Sequence, residues 1–150
     1  MPYAGEQILA SHFFERLTYT PAVANGGTAT FTTRSGEYIL FGGATTPAIC
    51  FFTAYIVVNA VGSGAVNVTV DGPVDIHRTR RQHVPVTTEG GFATASSLTG
   101  SLVAFTGGAG ATFDRLRLTD GTGSDALVNV TGADLRAGMN ICCQGWYFVA

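Results

Sequence analysis

Residues 49–59 read Ile49-Cys50-Phe51-Phe52-Thr53-Ala54-Tyr55-Ile56-Val57-Val58-Asn59, and the fold is decided by how this run is placed. β-branched and aromatic residues dominate it, which favours a strand over a buried helix at this length. A strand sends successive side chains to opposite faces. One face then carries Ile49, Phe51, Tyr55 and Val57, and the other Cys50, Phe52, Ala54, Ile56 and Val58. Both faces are apolar, so the strand needs cover on both sides and belongs at the centre of a sheet. The second covering layer is either the facing sheet of a sandwich or another subunit.

Working outward, the rest of the chain reads as many short strands joined by tight turns. It has 150 residues, enough for one domain with a real core. Gly occurs 20 times and Thr is equally abundant; Gly marks turns and Thr suits exposed strand positions. Towards the C-terminus, Ala65–Asp71 alternates with Val66, Val68 and Val70 inward, and a short strand is predicted from Val74 to His77. Val84–Thr88 and Phe92–Thr94 read as short edge strands, followed by Ser101–Phe105, Thr112–Thr119, Ala126–Thr131 and an apolar last strand, Met139–Val149. Towards the N-terminus, Thr28–Thr33 and Glu37–Phe41 read as a hairpin turning at Arg34-Ser35-Gly36. About nine or ten strands at this spacing predict an all-β fold, an antiparallel β-sandwich of jelly-roll-like type. The apolar chain centre and chain end are expected to lie together, with Phe52, Ile56, Val58, Ile141 and Trp146 buried. Residues 1–22 form an N-terminal arm and residues 23–150 the single β-sandwich domain. The arm carries Tyr3, Ile8, Leu9, Phe13, Phe14, Leu17 and Tyr19 at a spacing that fits helix and strand alike.

Charge narrows the function. Charged residues make up only 12% of the chain against 46% apolar, about half the usual charged share. So few charges predict a homo-oligomer, a trimer or dimer, or a surface covered by a larger assembly. All eight basic residues are Arg, which removes Schiff-base and phosphate-loop Lys chemistry. A net charge of −2 argues for no nucleic acid and no anionic membrane as partner. Residues 1–12 lack the basic start and apolar stretch of a signal peptide, so synthesis in a host cytoplasm is expected. Cys50, Cys142 and Cys143 have no metal or redox spacing and read as small buried hydrophobes; as neighbours in a strand, Cys142 and Cys143 point to opposite faces.

Candidate sites are few. Arg78, Arg80 and Arg81, between His77 and His83, form the only charge run, and guanidinium forks pair with carboxylates or phosphates on a partner. His77 and His83 lack a matched third metal ligand. Asp120, Thr122, Ser124 and Asp125 alternate oxygens like a calcium loop but lack the closing Glu. No nucleophile elbow, dinucleotide fingerprint or zinc helix is present, so no catalytic residue, cofactor or metal is assigned and no enzyme activity is expected.

The Gly/Thr/Ala-rich, charge-poor chain with a short N-terminal arm and a jelly-roll-like strand array resembles the capsid decoration or cement proteins of tailed phages. The Leu135-Arg136-Ala137-Gly138 turn before the last strand also looks like the corresponding turn of trimeric tumour-necrosis-factor/C1q-like jelly rolls. The cement resemblance implies a virion structural protein on the capsid exterior that bridges subunits of the major capsid protein without chemistry. Phe13 and Phe14 of the arm and the Arg78/Arg80/Arg81 loop are the expected partner-binding residues. The alternative is a receptor- or carbohydrate-binding module of a tail or spike. Such a module needs exposed aromatics for sugar stacking, and the only Trp, Trp146, is expected to be buried.

Overall fold

The computed structural model describes residues 15–42, 48–90, 97–108, 110–119 and 127–150. Among the described residues eleven strands follow one another: β1 (Leu17–Tyr19), β2 (Val23–Ala24), β3 (Thr30–Phe41), β4 (Ile49–Ala60), β5 (Thr69–Asp71), β6 (Gln82–Glu89), β7 (Ser97–Ala104), β8 (Thr112–Phe113), β9 (Arg115–Thr119), β10 (Leu127–Asn129) and β11 (Asn140–Phe148). They form an all-β antiparallel sandwich of two unequal sheets. The large sheet runs β1-β3-β4-β11-β6-β7-β9-β10 and the small one β2-β5-β8. The central strand and the chain end do lie together, paired from Asn140↔Val57 to Phe148↔Ile49.

The large sheet curls until its far edge meets the small sheet. Leu116 donates its N–H to the Val68 carbonyl at 3.0 Å, and Val68 donates to Val130 at 2.8 Å, next to the start of β5. The chain itself crosses between the sheets at Asp114, which separates β8 of the small sheet from β9 of the large one. Such corners are made by strands that switch sheets through a bend.

The enclosed core is built on one parity of each long strand. From β4 it takes Cys50, Phe52, Ala54, Ile56 and Val58, and from β11 Ile141, Cys143 and Tyr147. Phe52 stacks on Phe113 across the sandwich at 6.0 Å, and Tyr147 meets both rings edge-on at 5.5 and 5.4 Å. The Tyr147 hydroxyl is satisfied within the core, donating to the Val74 carbonyl at 2.9 Å and accepting the Val74 N–H at 3.2 Å. A buried hydroxyl left unpaired would destabilise the fold.

Several expectations are corrected. The hairpin at Arg34-Ser35-Gly36 does not exist: β3 runs straight through, pairing these residues with Ile56, Tyr55 and Ala54. Gly36 serves a close approach rather than a turn, since a Cβ there would lie 2.2 Å from a Tyr19 ring carbon. β1 pairs beside it, Tyr19↔Gly36, so the end of the N-terminal lead-in belongs to the sheet. Val84–Thr88 is not an edge, because β6 lies between β11 and β7. The expected strand from Val74 to His77 reduces to one bridge, Ile76↔Val149. Val68 and Val70 are buried as expected, but Val66 precedes β5 and is 62% exposed. Phe52, Ile56, Val58 and Ile141 are buried, whereas Trp146 is 50% exposed. Trp146 and Ile141 differ in parity on one strand, so both are buried only if both faces are covered, and the described residues cover one. Phe92–Thr94 lies outside the described residues.

Candidate binding face

The uncovered face of the large sheet concentrates the unexplained apolar surface. Register places Ile39, Phe51 and Trp146 side by side in one row across β3, β4 and β11, and Phe41, Ile49 and Phe148 in the next. The six form a two-row grid on the outward parity. Its rings touch one another edge-on, Phe41 with Phe51 at 5.2 Å and Trp146 with Phe148 at 5.4 Å. Phe51, Trp146 and Phe148 are nonetheless exposed. Further along the strands the same face becomes a shallow hollow of about 700 Å³, whose lining includes Ser35, Glu37, Thr53, Tyr55, Cys142 and Gln144.

The grid ends at a slot between β11 and β6. Their ladder runs only from Asn140↔Glu89 to Cys143↔Val86. Beyond it comes Pro85, which has no N–H to donate, close to Gly145, where a Cβ would press on Pro85 and Val84 at 3.1 Å. The strands are rejoined by a side chain. Gln82 accepts the Phe148 N–H at 2.7 Å and donates to the Phe148 and His77 carbonyls, standing in for a rung of the ladder. The slot left between encloses about 440 Å³, with Trp146 and Phe148 on one side and Arg80, Arg81, His83 and Pro85 on the other.

The three arginines of the expected charge cluster divide. Arg78 points inward, its side chain 5% exposed. It donates to Asp114 Oδ2 at 2.6 Å, to the Phe105 carbonyl at 3.3 Å and to the Thr112 carbonyl. Asp114 also accepts the Phe105 N–H at 2.7 Å, so this pair clamps the corner where the chain changes sheets. Gly108 leaves the room, since a Cβ there would meet the Arg78 guanidinium at 2.4 Å. Arg78 is thus held inside the fold by these contacts. Arg80 and Arg81 are exposed. Arg81 and Arg115 converge on the Phe105 ring, at 4.6 and 4.9 Å from its centroid. The ion pairs among the described residues are Arg16–Glu37 and Arg78–Asp114, so no carboxylate there answers Arg80, Arg81 or Arg115.

The remaining sequence candidates do not assemble. Among the described residues no three His, Cys, Asp or Glu side chains group to hold a metal. His77 shares a hydrogen bond with Thr79, and His83 is exposed at the slot. Phe13, Phe14 and the Asp120–Asp125 loop lie outside the described residues. Burial pushes the Cys50 thiol up to about 11 and the Cys143 thiol up to about 12. Both stay protonated at neutral pH, without the thiolate that nucleophilic or metal chemistry needs. The face presents flat rings, two guanidiniums without a carboxylate partner among the described residues, and a slot.

Trp146, Phe51 and Phe148 were missed as surface residues, although the sequence carried a signal. Gln144 shares the parity of Trp146 and Phe148, and Thr53 and Asn59 that of Phe51. These polar residues mark the outward side of each strand. Compared with family models, curated proteins and solved structures, the chain matches none, so its function is read from this geometry.

Proposed function

We propose that this chain is a virion structural protein of the decoration or cement type, which bridges and stabilises subunits of the major capsid protein and associates with copies of itself. The observation that supports this reading is the aromatic grid of Ile39, Phe41, Ile49, Phe51, Trp146 and Phe148 on an open sheet face. A charge-poor chain that leaves such a face uncovered gains by burying it against protein, and aromatic anchors dominate binding energy at interfaces. The role needs no chemistry, cofactor or metal.

The test separates the grid from the arm. Phe51→Ser, at an exposed position, is expected to leave the monomer folded and to reduce both self-association in light scattering and retention on capsid particles. Deleting residues 1–14, which spares β1, reads the contribution of the arm. If both variants decorate particles like the parent, the contact surface lies elsewhere; if the parent itself ignores shells, the cement reading fails.

A second reading, a receptor- or carbohydrate-binding module, is favoured by one specific observation: Trp146 stands half-exposed beside a slot instead of inside the core.

A further inference from the structure

We propose that the slot between β6 and β11 binds an acidic saccharide, with Trp146 as the stacking platform and Arg80 and Arg81 as the carboxylate clamp. The proposal rests on the second reading above and names its ligand class. Three properties of the slot lead there.

The first is size and shape. A volume of about 440 Å³ falls in the range of roughly 300–1,000 Å³ usual for small-ligand sites. Trp146, the only Trp in the chain, is 50% exposed at its wall and held edge-on by Phe148 at 5.4 Å. That contact fixes the indole while leaving it open to a flat apolar ligand surface, such as the C–H face of a pyranose ring.

The second is charge. Arg80, Arg81 and His83 line the opposite side, with no acidic residue among the described residues that line the slot. Arg81 and Arg115 crowd onto one ring, Phe105, without a carboxylate partner among the described residues. Arg80 and Arg81 follow one another at the slot wall, and an anion placed beside them is attracted by both positive charges. Guanidinium forks bind carboxylates bidentately, so a carboxylated sugar satisfies both sides of the slot at once.

The third is what the slot withholds. A peptide adding as a strand needs free backbone donors and acceptors along an edge. Here Pro85 has no donor, and Gln82 already bonds both the N–H and the carbonyl of Phe148. A ring ligand loses nothing by this, while an extended peptide does.

The sole Trp supplies the assay. Trp146 emission is followed while a galacturonic acid trisaccharide, sialyllactose or neutral galactotriose is added to the full chain. The uronic and sialic arms distinguish the two sources of a carboxylated sugar. At least one of them is expected to shift the emission saturably, with galactotriose about tenfold weaker or more and binding that declines as salt rises. Arg80→Ala/Arg81→Ala is expected to weaken the carboxylated sugar by about tenfold while leaving galactotriose and the melting temperature unchanged. By calorimetry, Trp146→Phe retains part of the affinity and Trp146→Ala loses it. The proposal is overturned if neither carboxylated sugar saturates, if galactotriose binds equally well, or if the double Arg variant binds like the parent. It is equally overturned if a glutamate-rich peptide binds more tightly than either sugar. Phe51→Ser keeps sugar binding while impairing shell retention, so failure here and failure of the cement reading are told apart.

Discussion

β4 and β11 carry large apolar side chains on both faces, and the two faces meet opposite fates. Inward, Phe52, Ile56, Ile141 and Tyr147 meet the small sheet and the curled end of the large one, and none is more than 3% exposed. Outward, Phe51, Tyr55, Trp146 and Phe148, one residue out of step on the same strands, are all exposed. A residue's type therefore does not settle its environment in a sheet; its parity does. The inward face is an interior, and the outward face is an exposed aromatic surface.

The sharpest way to break this comparison is to truncate neighbouring phenylalanines. Phe52→Ala removes a ring stacked on Phe113 and is expected to cost about 3–5 kcal/mol in chemical denaturation. Phe51→Ala, one residue away, is expected to cost the monomer about 0.5 kcal/mol or less. Equal losses would mean that the outward face is an interior too. Next in size is the corner clamp. Asp114→Ala strands the buried Arg78 guanidinium, for a loss of about 2–3 kcal/mol, reduced from the fully buried case because Asp114 itself is partly exposed. Arg81→Ala, from the same loop, is expected to unfold at the parental midpoint, which separates the structural arginine from the surface one.

Alkaline pH sharpens the comparison through the thiols. Burial raises Cys50 to about 11 and Cys143 to about 12 in the folded protein, from an ordinary value of 9.0. Between these limits the unfolded chain has given up the protons that the folded one retains, so stability falls as pH rises. Full stability below pH 9, declining steadily towards 12, is the expected outcome of melts across that range, and Cys143→Val should flatten the decline. The mildest probe is a thiol reagent added to the native protein. Cys142 faces outward and half-buried, so it is expected to react first, with Cys50 and Cys143 reacting only on unfolding. Rapid modification of Cys143 would show that the inward face opens to solvent.

Much of this was legible in particular residues. The run from Ile49 to Asn59 announced a central strand, and its likeness to the apolar end of the chain announced their pairing. The Leu135–Gly138 turn is present as read, closed by the Met139 N–H on the Arg136 carbonyl at 3.1 Å. The hairpin at Arg34-Ser35-Gly36 was misread because the glycine looks like a turn residue along the chain, whereas its purpose, room for Tyr19, lies across the sheet. The cationic loop was legible as a cluster but not as two groups, because what separates Arg78 from Arg80 and Arg81 is Asp114, 36 residues away.

Sequence alone determined the all-β class, the meeting of the central and terminal strands, the absence of lysine and a composition poor in charge. Tertiary structure alone decided which parity of β4 and β11 is covered, and with it that Trp146 is displayed, that Arg78 is internal and that a slot opens at Pro85. The physical reason is that alternation fixes which side chains share a face, a local property of the extended backbone. Which of the two faces meets the opposing layer depends on register and on the curl of the sheet, and these are set by contacts between residues far apart in the chain.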